Sequence, residues 1–173
     1  RPTGHDNAIQ KLSPVTPDGE LTTVYEPEAT ECITDMDLHF DGKRVLFSMP
    51  GANGRWQLHE MNADGDGLHE IKTIEAEDVD NCDACYLPDG GIMFTSTAPM
   101  IGVPCVRGSS HITNLYRLNT DGSVEQLSVD QEHNWCPTVT PAGRVMYLRW
   151  EYTDTPHAFY RLMFTMNPDG TQQ

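Results

Sequence analysis

The sequence lacks a long apolar run, and this absence excludes a helix that spans a membrane. No stretch approaches the roughly 18 consecutive apolar residues that such a helix requires. The first ten residues, RPTGHDNAIQ, contain no apolar segment and therefore do not form a secretory signal peptide. We predict no membrane-spanning segment, although a leader removed during secretion is compatible with this sequence.

Basic residues are also scarce, with 11 Lys and Arg against 26 Asp and Glu and a net charge of −15. A protein that binds a nucleic-acid backbone needs clustered Lys and Arg, and no such cluster is present. We therefore predict no nucleic-acid partner. The acidic residues are scattered along the chain, which indicates a solvated surface.

The chain has five cysteines, and an odd number leaves at least one of them without an intramolecular disulfide partner. Cys82 and Cys85 form a C-x-x-C, but Tyr86 stands where a c-type haem attachment motif has His. A zinc ribbon would need a second C-x-x-C, which is absent. We predict a structural or buried role for these two cysteines, and no haem attachment by this chain alone.

Helical periodicity is nearly absent, while two β-like motifs recur in alternation. The first motif is FDGKRVLFS from Phe40, LPDGGIMFTS from Leu87 and TPAGRVMYLR from Thr140. The second is LHEMNADG from Leu58, LYRLNTDG from Leu115 and MFTMNPDG from Met163, and IQKLSPVTPDG from Ile9 is a fourth copy. Asp-Gly between apolar runs favours a hairpin turn, because glycine tolerates a positive φ.

The repeats supply four strands in about 50 residues, the size of one propeller blade. We predict an all-β fold, a partial β-propeller of about three and a half four-stranded blades. Residues 1–31 are the tail of a preceding blade, and 32–77, 78–131 and 132–173 are blades. Because closed propellers have about four to eight blades, we expect the remaining blades of a parent protein or complex as partners.

The segment MNADGDGLHE, residues 61–70, has the alternating oxygen ligands of a calcium loop. The other copies of its motif lack the acidic residue at the position of Asp66, and Thr73 stands where a calcium loop has a bidentate Glu. We therefore predict a hairpin turn here, with calcium binding as the less favoured alternative.

A long loop from Ser96 to Asn114 lengthens the second blade and contains Cys105, Arg107 and His111. Long loops in compact folds are often functional, which makes this loop a candidate ligand-binding element. The alternative is a loop tied down by a disulfide from Cys105 to Cys85 or Cys82.

Two loops at corresponding positions of neighbouring blades carry metal-ligating side chains, Asp83 and Cys85 in one and His133 and Cys136 in the other. Such loops lie on the same face of a propeller, so these residues are a candidate zinc cluster. The alternative is acidic residues on an exposed loop. Arg149, with Glu151 and Asp154, is expected to fasten one blade to the next by ion pairing. No motif names a reaction.

Several strings resemble the propeller region of the hydrazine synthase alpha-subunit family, within the wider group of TolB/WD40-like repeats. They are CYLPDG, GVPC, TNLYRLN, RWEYTDTPH and TMNPDG. The resemblance implies a propeller of about six or seven blades in a larger extracytoplasmic protein, periplasmic or secreted, followed by a c-type haem domain. In the family that the sequence resembles, the haem region takes part in joining nitric oxide, or hydroxylamine derived from it, with ammonia to give hydrazine.

In this family the propeller would be a scaffold that walls one side of the haem pocket. Cys105, in GVPC, maps to a contact with the haem edge or with zinc, and His111 lies in the same loop. The haem-binding segment is missing from this sequence, so the chain is not expected to catalyse a reaction alone. The alternative function is a non-catalytic secreted propeller that binds a protein or a glycan.

Overall fold

The computed structural model describes residues 7–27, 31–151 and 160–173. In these ranges the chain forms 13 β-strands and one short 3-10 turn at Pro104–Val106, and contains no α-helix. The strands are β1 (Ile9–Ser13), β2 (Glu20–Tyr25), β3 (Thr34–Leu38), β4 (Arg44–Pro50), β5 (Trp56–Asn62), β6 (His69–Glu70), β7 (Asn81–Tyr86), β8 (Ile92–Ser96), β9 (Asn114–Leu118), β10 (Val124–Gln126), β11 (Asn134–Val139), β12 (Val145–Trp150) and β13 (Arg161–Met166).

The strands form four antiparallel sheets, each made of consecutive strands. We call β3–β6 the first blade, β7–β10 the second and β11–β13 the third, and we call the two-stranded sheet β1–β2 the half-blade. Consecutive antiparallel strands joined by short turns are the arrangement of a propeller blade. The predicted all-β partial propeller is confirmed, and each sheet lies within one of the predicted segments.

The turns of the second motif have the same geometry in all three copies. The N–H groups of Gly65, Gly122 and Gly170 each donate to the carbonyl oxygen of the Asn three residues earlier, at 2.9, 3.0 and 2.9 Å. The preceding aspartate accepts a hydrogen bond from the N–H two residues further on, as Asp64 does from Asp66 at 3.1 Å. The hairpin-turn prediction for residues 61–70 is therefore confirmed.

The hydrophobic core is divided into layers that lie between successive sheets. One layer joins Leu46 and Leu58 of the first blade to Tyr86 and Phe94 of the second. The next layer joins Met93 and Leu115 of the second blade to Val145, Tyr147 and Met166 of the third. Alternate residues of each central strand thus face opposite neighbours, which explains why both faces of these strands are apolar.

The half-blade packs against the outer face of the first blade. Its Ile9, Val24 and Tyr25 contact a cluster that contains Phe47, Met49 and Met61. Within the part of the chain that the structure describes, no helix is long and apolar enough to cross a membrane.

Candidate functional site

The innermost strand of each blade carries a bulge with one residue in the left-handed conformation. Asp35, Asp83 and Cys136 have φ of 56°, 57° and 52°. The strand register shifts around each of them, where β3, β7 and β11 pair with the next strand. Each lies seven residues before a turn glycine (42 − 35, 90 − 83 and 143 − 136). Non-glycine residues adopt a positive φ rarely, so its recurrence marks a feature of the repeat.

The bulges connect the three blades to one another. The Asp83 N–H donates to Ser48 Oγ of the first blade at 3.0 Å. The Asp83 carboxylate accepts a hydrogen bond from the Cys136 N–H of the third blade. The Tyr86 N–H donates to Asp37 Oδ2 at 2.9 Å. Asp83 therefore links all three blades at the inner end of the sheets.

The surroundings of this link disfavour the ionised forms of the Asp83 and Cys136 side chains. Burial raises the pKa of Asp83 to about 6, an effect to which the negative charge of Asp35 adds and which the Cys136 N–H opposes. Desolvation, followed by the charge of Asp83, raises the pKa of Cys136 to about 11. At neutral pH Cys136 is therefore a protonated thiol, and zinc binding would have to displace its proton.

The structure brings together only part of the predicted zinc cluster. Asp83 and Cys136 are neighbours, whereas Cys85 is buried in the apolar layer between the second and third blades. His133 lies in an aromatic stack described below. Among the described residues, no group of three or more His, Cys, Asp and Glu side chains is placed to hold a metal ion. The zinc cluster stays a prediction of the sequence that this geometry does not favour.

His133 is stacked against two tryptophans of the third blade. Its ring centroid lies 4.6 Å from that of Trp135 and 5.9 Å from that of Trp150. The Thr113 N–H donates to His133 Nδ1 at 3.1 Å, so that nitrogen is an acceptor. Burial, followed by the positive charge of Arg161, lowers the pKa of His133 to about 4. The imidazole is therefore neutral at pH 7 and serves to pack the second blade against the third.

The long loop from Ser96 to Asn114 packs on the same aromatic residues. Val103 and Ile112 are buried against Trp150, and Trp135 contacts the same cluster. The Ile112 N–H donates to the Ile101 carbonyl at 2.9 Å, and the Val103 N–H donates to the Ser110 carbonyl at 2.8 Å. Hydrogen bonds and apolar burial thus hold the loop in place.

The disulfide alternative for this loop is not found, because all five cysteines are free thiols. Cys105 is exposed in the 3-10 turn Pro104–Val106, and His111 is half-buried in a bridge to Gly102. Cys82 and Cys85 lie within β7, and burial raises the pKa of both thiols. These two are protonated at neutral pH and suit a structural role rather than redox chemistry.

Arg149 forms ion pairs where the second and third blades meet. Its Nη2 lies 2.9 Å from Asp130 Oδ1, in the segment after β10, and its Nε lies 2.6 Å from Glu151 Oε1. The pairing of Arg149 with Glu151 is as predicted, but both residues belong to the third blade, and the partner that connects Arg149 to the second blade is Asp130, which was not predicted. Asp154, the third residue of that prediction, lies outside the described residues.

Sequence reasoning missed Asp35 and the histidine–tryptophan stack. The spacing of seven residues to the turn glycine was available and would have placed Asp35 beside Asp83. The stack joins His133 to Trp150, which lies on the next strand, so only the pairing of β11 with β12 brings the two residues together.

Comparison with known proteins supports the fold and leaves the family open. No protein-family model matches the sequence, and no curated protein matches it. Among solved structures, Kuenenia stuttgartiensis hydrazine synthase is similar over 89% of this chain, with a TM-score of 0.72 and 18% identity. The present chain spans 26% of the length of that protein.

Two further solved structures have similar folds. A protein assigned as a TolB from Agrobacterium tumefaciens matches over 95% of this chain and 72% of its own, with a TM-score of 0.50 and 18% identity. A protein assigned as a gluconolactonase matches over 87% of this chain and 53% of its own, with a TM-score of 0.53 and 16% identity. At these identities the similarity shows a propeller-type fold.

Proposed function

We propose that this chain is the scaffold portion of a β-propeller in a larger extracytoplasmic haem oxidoreductase similar to hydrazine synthase. The observation that supports this most is the similarity to that enzyme, which extends over 89% of the chain but only 26% of the solved protein. The proposal therefore assigns this chain a scaffold role within a larger protein rather than a complete active site.

The side chains of the described residues agree with a structural role. The thiols of Cys82 and Cys136 are held protonated, and His133 is neutral and engaged through Nδ1. The C-x-x-C lies along a strand with Cys85 in the core, so these residues do not fit a haem attachment site. A c-type haem would be held by another part of the parent protein and would supply its redox chemistry.

The long loop is the part of this chain that we expect to face such a haem. Cys105 is exposed at the surface of the loop, while its base is fixed by Val103 and Ile112. Substituting Cys105→Ser in the parent protein should shift the haem absorption spectrum if the thiol contacts the haem edge. Ser109→Ala, in the same exposed loop, is the matched control.

The direct test is the intact mass and visible absorption of the protein from its native source. A mass far above 19.4 kDa together with a haem Soret band is the expected result. A colourless protein would overturn the haem proposal. It would favour instead a secreted propeller that binds a protein or glycan, for which the exposed Tyr160 offers aromatic contact area.

A further inference from the structure

The half-blade corresponds to the outer two strands of a complete blade. The second-motif copy that begins at Ile9 forms β1, and the Asp-Gly turn follows it as it follows β5 and β9. In the complete blades these are the third and fourth strands. Among the described residues β1 pairs only with β2, so its other edge is unpaired. The two inner strands of this blade are not among the described elements.

The first blade is exposed where those inner strands would pack. Met36 and Leu38 of β3 are 61% and 57% exposed. The same repeat positions of β7, Ala84 and Tyr86, are 6% and 3% exposed, because the first blade covers them. The correspondence follows from strand register, since Leu38 pairs with Val45 as Tyr86 pairs with Ile92.

A groove runs between the unpaired edge of β1 and these exposed residues. It has a volume of about 370 Å³ and is lined on one side by Ile9 and Lys11 and on the other by Met36, Leu38 and Val45. A free strand edge beside an apolar face is the surface on which an added strand gains both backbone hydrogen bonds and apolar burial.

We propose that this groove binds a β-hairpin equivalent to β7–β8, supplied by another part of the same propeller, which pairs with β1 and covers Met36 and Leu38. This inference rests on the proposed function only in taking the chain as part of a larger propeller. The hairpin should present apolar residues where β7–β8 presents Leu87 and Met93, since those pack against the following blade.

Brief peroxide oxidation of the protein from its native source, read residue by residue by mass spectrometry, tests this proposal. Met36 should be oxidised at least about ten-fold more slowly than Met100, which is 42% exposed on the long loop. Met61, which is 1% exposed, gives the rate of a buried methionine. Equal rates at Met36 and Met100 would overturn the proposal.

A pair of variants adds a second readout. Leu38→Asp places a charge in the groove and should make Met36 reactive, whereas Val129→Asp, at a position 86% exposed, should leave it protected. If the Leu38→Asp protein does not fold, the oxidation of the unmodified protein decides alone. Protection that disappears on dilution, with the mass falling to that of one chain, would identify a second copy as the occupant and overturn the hairpin.

The same sample separates this proposal from the haem proposal. A protected Met36 without a Soret band would leave the hairpin standing and remove the haem. A Soret band with a reactive Met36 would do the reverse.

Discussion

The junction between the first two blades and the far face of the third blade are built from the same repeat, yet their surroundings differ. Leu58, Leu115 and Met163 occupy one repeat position, since they pair with Ser48, Thr95 and Leu148 at equivalent places. Leu58 and Leu115 are fully buried, whereas Met163 is 66% exposed. The repeat dictates an apolar residue there, and only a following sheet buries it.

The comparison separates what a blade sequence encodes from what its neighbour supplies. Each blade forms its own turns and strand pairs, while most apolar burial comes from the adjacent sheet. A residue's contribution to stability should therefore follow its neighbour rather than its place in the motif.

Truncation of the buried and exposed copies of one position should give the largest contrast. Leu115→Ala removes side-chain atoms from the layer between the second and third blades and should lower the free energy of unfolding by about 2–5 kcal/mol. Met163→Ala, at the open face, should change it by no more than about 0.5 kcal/mol. Urea unfolding of both variants measures the difference. Similar losses of stability in the two variants would contradict close packing between the second and third blades.

Removal of one hydroxyl group tests the polar contacts between the first and second blades. Tyr86 Oη donates to Glu60 Oε1 at 2.8 Å, and Glu60 also pairs with Arg44 at 3.1 Å. Tyr86→Phe should cost about 1–3 kcal/mol, because the acceptor is charged. Leu38→Ala, at the equivalent position of the open flank, should cost less in the same thermal or urea unfolding. A larger loss of stability from Leu38→Ala than from Tyr86→Phe would mean that other residues of the isolated chain already bury Leu38.

Neutralising Asp83 tests the link that joins the three blades. Its pKa is raised from 3.8 to about 6, so the ionised form is disfavoured in the folded state. This penalty is fully present above pH 6 and fades as the pH falls toward 4. Asp83→Asn, which tolerates the positive φ, should therefore stabilise the protein at pH 7 by about 1 kcal/mol, a value reduced for partial solvent exposure.

The advantage of Asp83→Asn should shrink on acidification, while His133 acts in the opposite direction. The pKa of His133 is lowered from 6.5 to about 4, so the folded state resists protonation of this side chain. The folded state therefore loses stability relative to the unfolded state as the pH falls from 6.5 to about 4. The variant should thus lose stability more steeply than the unmodified protein between pH 6 and 4. Asp121→Asn at an exposed turn is the control, and parallel pH profiles would refute the role of Asp83.

The smallest effects are expected at the turns, which do not depend on a neighbouring blade. Asp121 Oδ1 accepts from the Ser123 N–H at 2.9 Å and from Ser123 Oγ at 2.6 Å, whereas within the described part of the chain Asp64 Oδ1 accepts from the Asp66 N–H alone. Asp121→Ala should lower the thermal midpoint slightly, and Asp64→Ala should lower it less. Millimolar calcium should leave both thermal midpoints unchanged. A calcium-induced rise that Asp64→Ala abolishes would support the calcium loop instead.

The sequence predicted the repeat, the turns and the strands, because each depends on residues close together in the chain. Gly65, Gly122 and Gly170 have φ of 99°, 85° and 82°, as the Asp-Gly pattern required. The candidate site was harder to predict from the sequence, because the direction of its side chains depends on the bulge. The extra residue at Asp83 changes the alternation of β7, so Asp83 meets Cys136 while Cys85 turns into the core.

A repeat position is buried or open according to the neighbouring sheet, and peroxide oxidation of the 173-residue chain tests this dependence directly. Met36 and Met163, at the two open flanks, should be oxidised rapidly, and Met61, Met93 and Met166 should be protected while the chain is folded. Equal oxidation of all five would contradict packed junctions. Protection of Met36 and Met163 in the monomeric chain would contradict open flanks.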